Sequence, residues 1–377
     1  HPGNPFLVLR RESIVIYREY GSTGEKVSVL GFGGMRFENP SDIDGSAEIL
    51  VHALKSGINY FDTAPGYCGD HSEDIFGTAV KEMKKLDTPF YLSTKSSKSD
   101  GNELRRQLET SLKRLNVDHI DFYNCWYVLT MEDWEGRKKD GAVAAILKAR
   151  DEGLIKHPVF STHLPGNEIR RVIEEGYFQG VTLGYSVINF PYREEGIKAA
   201  GEHGMGVVVM NPLGGGTITQ NPDTFDFIRV RRSQNNLDGA LHFLMNNKNI
   251  SVILTGFRNK SDIDTAVASV DAYKPYTKEE VEKIRKHIDS DFNNLCTTCM
   301  YCNNCPVDIP VWKFVESANG LYYDIDGSLA DRLKWHWGTD ISVLDLCTEC
   351  RLCEDVCTQH LPILERFEGL KLALGDQ

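Results

Sequence analysis

The sequence lacks any long apolar run. Nowhere in its 377 residues does one approach the ~18 to 20 needed for a membrane-crossing helix, so no membrane association is expected. It also lacks an excess of positive charge, with 42 Lys and Arg against 54 Asp and Glu and a formal net charge of -12. That balance argues against a nucleic-acid partner and suits a soluble protein partner of basic character. The opening stretch HPGNPFLVLRRESIV has no apolar core followed by a small-residue cleavage site, so no signal peptide is expected and a cytoplasmic location is. The chain starts with His, and residues 1–16 are set aside as an N-terminal extension, expected to be in part vector-derived. No low-complexity segment interrupts the rest. Hydrophobic residues at 41% and charged residues at 25% are the proportions of a globular protein. The length suits one large domain plus a smaller one.

From residue 27 short apolar runs alternate with amphipathic helical stretches. The expected strands are 27–35, 58–62, 89–95, 119–126, 157–163, 181–189, 206–212 and 251–256, with helices such as 47–57, 103–115, 142–153, 197–204 and 278–289. Eight strand–helix units over this length predict an α/β fold, a (β/α)8 barrel in place of an open doubly wound sheet. Chemistry in such barrels sits at the C-terminal ends of the strands. The polar residues there are Asp62, Lys95, the 121–126 segment, His163, Asn189 and Asn211, with Tyr67 just beyond the second strand.

Asp62, Tyr67 and Lys95 stand in an order that makes chemical sense. A tyrosine protonates a carbonyl oxygen efficiently only if its phenol, with a pKa near ~10 in water, is brought down. A neighbouring lysine ammonium would do this, and an aspartate would hold that lysine charged and in place. Taken singly, each is as readily a solvated or anchoring polar residue; together they form a candidate acid–base set.

The segments GINYFDTAPGYCGDHSEDIFGTAV, FYLSTK and VVVMNPLGGG, with the opening YREYGSTGEKVSVLGFGGMRF, resemble the aldo/keto reductases over residues 17–290. The resemblance implies a barrel that binds a nicotinamide, NADP(H) or NAD(H), without a Rossmann domain. It also implies Tyr67 as proton donor, Lys95 as modifier of its pKa and Asp62 as the group orienting the lysine. The family's strand motif DxYxxH appears here as DFYNCW, which puts Trp126 where a histidine is expected. Tryptophan can wall a pocket and donate one N–H, but it cannot shuttle a proton. The other reading of Cys125 and Trp126 is barrel packing with the register off by one. His163, in FSTH, is the candidate replacement imidazole.

By the same resemblance the nicotinamide would meet Ser161, Thr162, Tyr185 and Met210, and its pyrophosphate would meet the loop Pro212, Leu213, Gly214, Gly215 and Gly216. Glycine there lets backbone N–H groups approach a phosphate closely. Arg258 and Lys260 stand where a 2′-phosphate would sit, which favours NADP, while Ala266 replaces the asparagine expected near the adenine.

Eight of the ten cysteines lie in two short runs, CTTCMYCNNCP (296–306) and CTECRLCEDVC (347–357). Successive CxxC pairs without a secretory signal point to metal ligation in a reducing compartment and away from disulfides. Three cysteines at spacing three wrap one face of a cubane and a more distant fourth closes it, so two [4Fe–4S] clusters are expected in preference to zinc knuckles. In two-cluster ferredoxins the last cysteine of each run ligates the other cluster. That predicts Cys296, Cys299, Cys302 and Cys357 on one cluster, and Cys347, Cys350, Cys353 and Cys305 on the other. The two runs resemble the C-terminal ferredoxin-like tail of an iron–sulfur subgroup of aldo/keto reductases, here residues 291–377. The Tyr- and Trp-rich segment 313–338 is expected to pack this tail on the barrel mouth.

The expected function is redox chemistry on a small carbonyl or hydroxyl substrate, with electrons exchanged through the clusters with an external ferredoxin or flavoprotein, in an anaerobic setting. A proton-transfer enzyme, an epimerase or dehydratase using Tyr67 and Lys95, is the alternative that Trp126 raises. A third possibility is an electron carrier whose barrel has lost catalysis.

Overall fold

The computed structural model describes residues 15–288, 294–323 and 328–375. The expected boundary at 290–291 and most of the expected extension lie outside them.

A hairpin opens the fold. Strands β1 (Tyr17–Glu19) and β2 (Lys26–Ser28) pair antiparallel, Tyr17 opposite Ser28. Eight parallel strands follow: β3 (Leu30–Gly33), β4 (Tyr60–Asp62), β5 (Tyr91–Ser96), β6 (Ile120–Val128), β7 (Ile155–Thr162), β8 (Gly180–Gly184), β9 (Gly206–Met210) and β10 (Val252–Gly256). They close in chain order, β10 pairing back onto β3. Helices Ile43–Lys55, Ser72–Met83, Gly101–Leu115, Ala142–Asp151, Gly166–Glu174, Glu194–Glu202, Asn236–Asn246 and Lys260–Asp271 separate or follow the strands. This is the expected barrel. None of the described helices is long and apolar enough to cross a membrane.

Side chains alternate along each strand, and that period of two sorts the interior into layers. The lower layer is apolar: Tyr60, Phe122, Val159, Val208 and Val252 pack with Tyr20 and Val27 of the hairpin, which stoppers that end. Two residues further along the strands come Asp62, Ser93, Asn124, Ser161 and Thr182, all buried. The interior is therefore dry and greasy at one end and polar at the other. Residues of opposite parity, such as Phe61, Tyr123, Cys125 and Phe160, join the large core between strands and helices.

The sixth barrel strand is shorter than expected. It ends at Gly184, and Tyr185–Asn189 form a connection into a short helical turn at Phe190–Tyr192. Beyond the barrel, residues 296–370 build a second apolar core from Cys296, Cys302, Ile309, Phe314, Leu333, Leu344, Cys357 and Phe367. The described residues of the segment 313–338 belong mainly to this second core. Its buried Glu316 accepts from Trp337 Nε1 at 2.8 Å and pairs with Arg332. The stretches lying across the barrel mouth are instead 297–301 and 358–359.

Candidate active site

Asp62 and Lys95 end adjacent strands and meet at 2.5 Å, both almost wholly buried. A buried ion pair holds only if the remaining lone pairs are satisfied, and the polar layer does this. Thr182 donates to Asn124 Oδ1 at 2.9 Å, Asn124 Nδ2 donates to Ser93 Oγ at 3.1 Å, and Ser93 donates to Asp62 Oδ2 at 2.7 Å. This chain runs from β8 to β4 across the barrel. Ser93, Asn124 and Thr182 were not picked out in the sequence, although their inward parity on polar-ended strands marks them.

Tyr67 follows β4 on a tight turn begun by Gly66, whose φ of 81° is left-handed and natural to glycine. The turn is anchored from behind. Ser72 Oγ donates to Gly34 O at 2.7 Å, and Glu73 accepts from Thr94 at 2.8 Å. Lys95 Nζ lies 5.1 Å from the centre of the Tyr67 ring and 5.8 Å from that of Trp126. Burial, reinforced by Asp62, pushes the Tyr67 phenol up, while hydrogen bonding with Tyr301 and the charge of Arg36 draw it back. The lysine charge is matched by Asp62, so in this geometry Tyr67 is a neutral donor and not a phenolate.

Trp126 faces the cavity and Cys125 faces the outer core, which settles the register in favour of Trp126 at the site. A register shift between Cys125 and Val128 follows, and Tyr127 then stacks on Tyr301 at 4.8 Å. His163 is buried, and neither ring nitrogen has a protein partner. Burial, then Arg193 and His360, hold its pKa well below the usual value, so the ring is neutral.

These groups line one cavity of about 140 Å³, together with Arg36, Ser161, Met210 and, from the tail, Cys299, Tyr301 and Thr358. It adjoins a groove of about 600 Å³ bordered by Pro212, Leu213, Gly215, Gly216, Arg258 and Ala266. Arg36 and Asn211 border both. The smaller space fits a small organic molecule, and the larger falls in the range of cofactor sites.

Of the residues expected at a nicotinamide, Ser161 and Met210 line the cavity and the glycine loop lines the groove. Three do not. Thr162 has the opposite parity and donates to Val128 O at 3.0 Å. Tyr185, past the strand end, turns into the outer core beside Phe190. Lys260 pairs with Glu48 at 2.9 Å on the outer surface, away from the groove. Arg258 stays at the groove, paired with Asp262 at 3.1 Å. Gly215 shows why glycine is required, because a Cβ there would lie 2.0 Å from Thr298 Oγ1.

Two arginines escaped the sequence reading. Arg36 Nη2 donates to Thr298 O at 3.1 Å, tying the end of β3 to the tail. Arg193 is fully buried and donates to Leu164 O, Gly184 O, His163 O and Thr358 O at 2.8–3.2 Å. Burial draws its pKa down to about 10.

The cysteine runs fold back on each other. Cys305, Cys347, Cys350 and Cys353 line one small cavity with Pro306 and Phe367. Cys296, Cys299, Cys302 and Cys357 lie close enough that thiolate charge on one raises the pKa of another, on top of burial. None of the ten cysteines forms a disulfide. Cys299 borders the active-site cavity and contacts Thr358 Oγ1 at 3.2 Å. Among the described residues no group of three or more His, Cys, Asp or Glu is gathered closely enough to be recognised as a site for a metal ion.

The profile of the aldo/keto reductase family matches residues 29–289. The chain is 25% identical to L-galactose dehydrogenase of Arabidopsis thaliana over 290 residues, 67% of this chain and 87% of that protein. It is 23% identical to an uncharacterised oxidoreductase of Bacillus subtilis over 310 residues, 73% and 97% of the two chains. The solved structure of an aldo-keto reductase from Bacillus halodurans in its holo form shares the fold with a TM-score of 0.64 at 23% identity, covering 74% of this chain and 97% of that one.

Proposed function

The chain belongs to the aldo/keto reductase family, and on that footing we propose that it interconverts a small carbonyl compound and its alcohol, with Tyr67 as the proton donor. The carrying observation is the buried Asp62–Lys95 pair beneath Tyr67 in one cavity. A neutral phenol beside a fixed ammonium can pass its proton to a carbonyl oxygen as charge develops there. The ammonium stabilises the phenolate left behind. Asp62 keeps Lys95 in place, and the Thr182–Asn124–Ser93 chain keeps Asp62 an acceptor.

The residues present fit a nicotinamide dinucleotide. Ser161 and Met210 would border its ring, and the loop at Gly215 and Gly216 its pyrophosphate. Arg258 would meet a 2′-phosphate. Two [4Fe–4S] clusters would be held by Cys296, Cys299, Cys302 and Cys357 and by Cys305, Cys347, Cys350 and Cys353. The support is eight free thiols in two runs of CxxC spacing, four of which, Cys305, Cys347, Cys350 and Cys353, line one cavity. When bound, the nicotinamide supplies hydride chemistry and the clusters supply one-electron chemistry, exchanged with an external ferredoxin or flavoprotein.

The test is anaerobic purification with iron and sulfide analysis, then fluorescence titration with NADPH and NADH, then NADPH oxidation with small aldehydes and ketones. About eight irons per chain, saturable nucleotide binding and turnover lost in Tyr67→Phe are expected. The unpartnered, neutral His163 ring favours the second reading, proton abstraction beside a carbonyl. Hydrogen–deuterium exchange at the α-carbon of a ketone without nucleotide turnover would select it.

A further inference from the structure

The tail puts one aromatic hydroxyl into the barrel's cavity, and we infer that Tyr301 is a catalytic residue, its O–H donating a hydrogen bond to the same substrate oxygen that takes the proton of Tyr67. The inference rests on the carbonyl chemistry proposed above and adds to it a residue from outside the barrel.

Direction of hydrogen bonding comes first. The indole N–H of Trp126 approaches the Tyr301 oxygen at 3.3 Å. An indole nitrogen only donates, so Tyr301 accepts there and its own proton is directed elsewhere. Tyr67 lines the same cavity, and the nearness of Tyr301 works against the effect of burial on its phenol. Two phenols thus line one cavity, together with Lys95 and His163.

The ring cannot drift. Tyr127 stacks on it at 4.8 Å, His163 meets it edge-on at 5.7 Å, and Trp126 lies 6.3 Å away. Donors held in advance of the reaction stabilise a developing oxyanion most, because nothing has to reorganise when the charge appears. Trp126 then has a role that a proton shuttle would not need. It is a positioning residue that fixes the rotation of the Tyr301 hydroxyl. The second donor expected on a barrel strand is thereby supplied by the tail. Tyr301 keeps its own proton throughout; the proton transferred is that of Tyr67.

The test uses the full chain, purified anaerobically, with 4-nitrobenzaldehyde labelled with 13C at the carbonyl. Infrared difference spectra report hydrogen bonding to the bound carbonyl oxygen, and NADPH oxidation reports turnover. In the wild type the bound carbonyl stretch is expected below its value in a non-bonding solvent. Tyr301→Phe, which keeps the ring, should recover part of that lowering and reduce kcat/KM about a hundredfold. Trp126→Phe should fall between the two. A wild-type stretch and unchanged turnover in Tyr301→Phe would overturn the inference and leave the proposed function standing. A wild type that neither lowers the stretch nor oxidises NADPH would overturn the carbonyl reading, and this inference with it.

Discussion

Lys95 and Asp62 form a 2.5 Å ion pair in which 5% and 2% of the two side chains remain exposed. A pair so placed is worth little against an apolar replacement of both members, but removing one leaves a bare charge in a dry site. Lys95→Met is expected to destabilise the protein by about 3–5 kcal/mol and to abolish turnover. Lys95→Met with Asp62→Leu should recover stability without recovering activity. Urea unfolding followed by tryptophan fluorescence reads the first effect, and NADPH oxidation the second.

His163 predicts an acid limb. Its folded pKa lies well below the usual value, whereas the unfolded ring takes a proton below about pH 6.5. Under acid the unfolded state therefore binds the extra proton, and stability is lost as pH falls through that value. The loss should approach about 1.4 kcal/mol per pH unit from this residue. His163→Gln should flatten the unfolding free energy between pH 6.5 and 5; an unchanged slope would mean that the ring charges freely in the fold.

Gly215→Ala places a methyl 2.0 Å from Thr298 Oγ1 and 2.2 Å from Thr297 O, on a backbone with φ of 70°. Conformational strain alone is about 1–3 kcal/mol. The loop would have to leave the tail, so NADPH affinity is expected to fall at least tenfold in a fluorescence titration. Gly153→Ala, also at positive φ but in open space, serves as the control with nucleotide affinity unchanged.

Cys350→Ala removes the exposed member of the set that lines the outer cavity. Bound iron should drop to about half, from roughly eight to four per chain. Nucleotide binding in the distant groove should stay as in the wild type. Equal loss of both clusters would show that the two sets fold as one unit.

How much of this was legible in the sequence follows from parity and distance. The barrel strands announced themselves because apolar runs alternate with amphipathic helices, and Asp62, Lys95 and Ser161 sit at inward positions of those runs. Thr162 failed because it is one residue out of phase, and Tyr185 because its strand stops at Gly184 before reaching it. Lys260 failed because a helix's first turn points in several directions, and this one points to Glu48. Tyr301, Arg36 and Arg193 carry no local signal. Tyr301 and Arg36 have partners 175 and 262 positions away, and Arg193 adds to its nearer acceptors one 165 positions on; only folding brings such segments together.

Arg193 also sets an order of events. Three of its four acceptors, on His163, Leu164 and Gly184, precede it in the chain and are ready when it leaves the ribosome; the fourth, Thr358 O, is made 165 residues later. Domains form N-terminal first during synthesis. The barrel can therefore close around a guanidinium that still has one donor turned to water. Docking of the tail removes that last hydration site. The arrival of Thr358 marks the moment at which the tail covers this side of the barrel mouth.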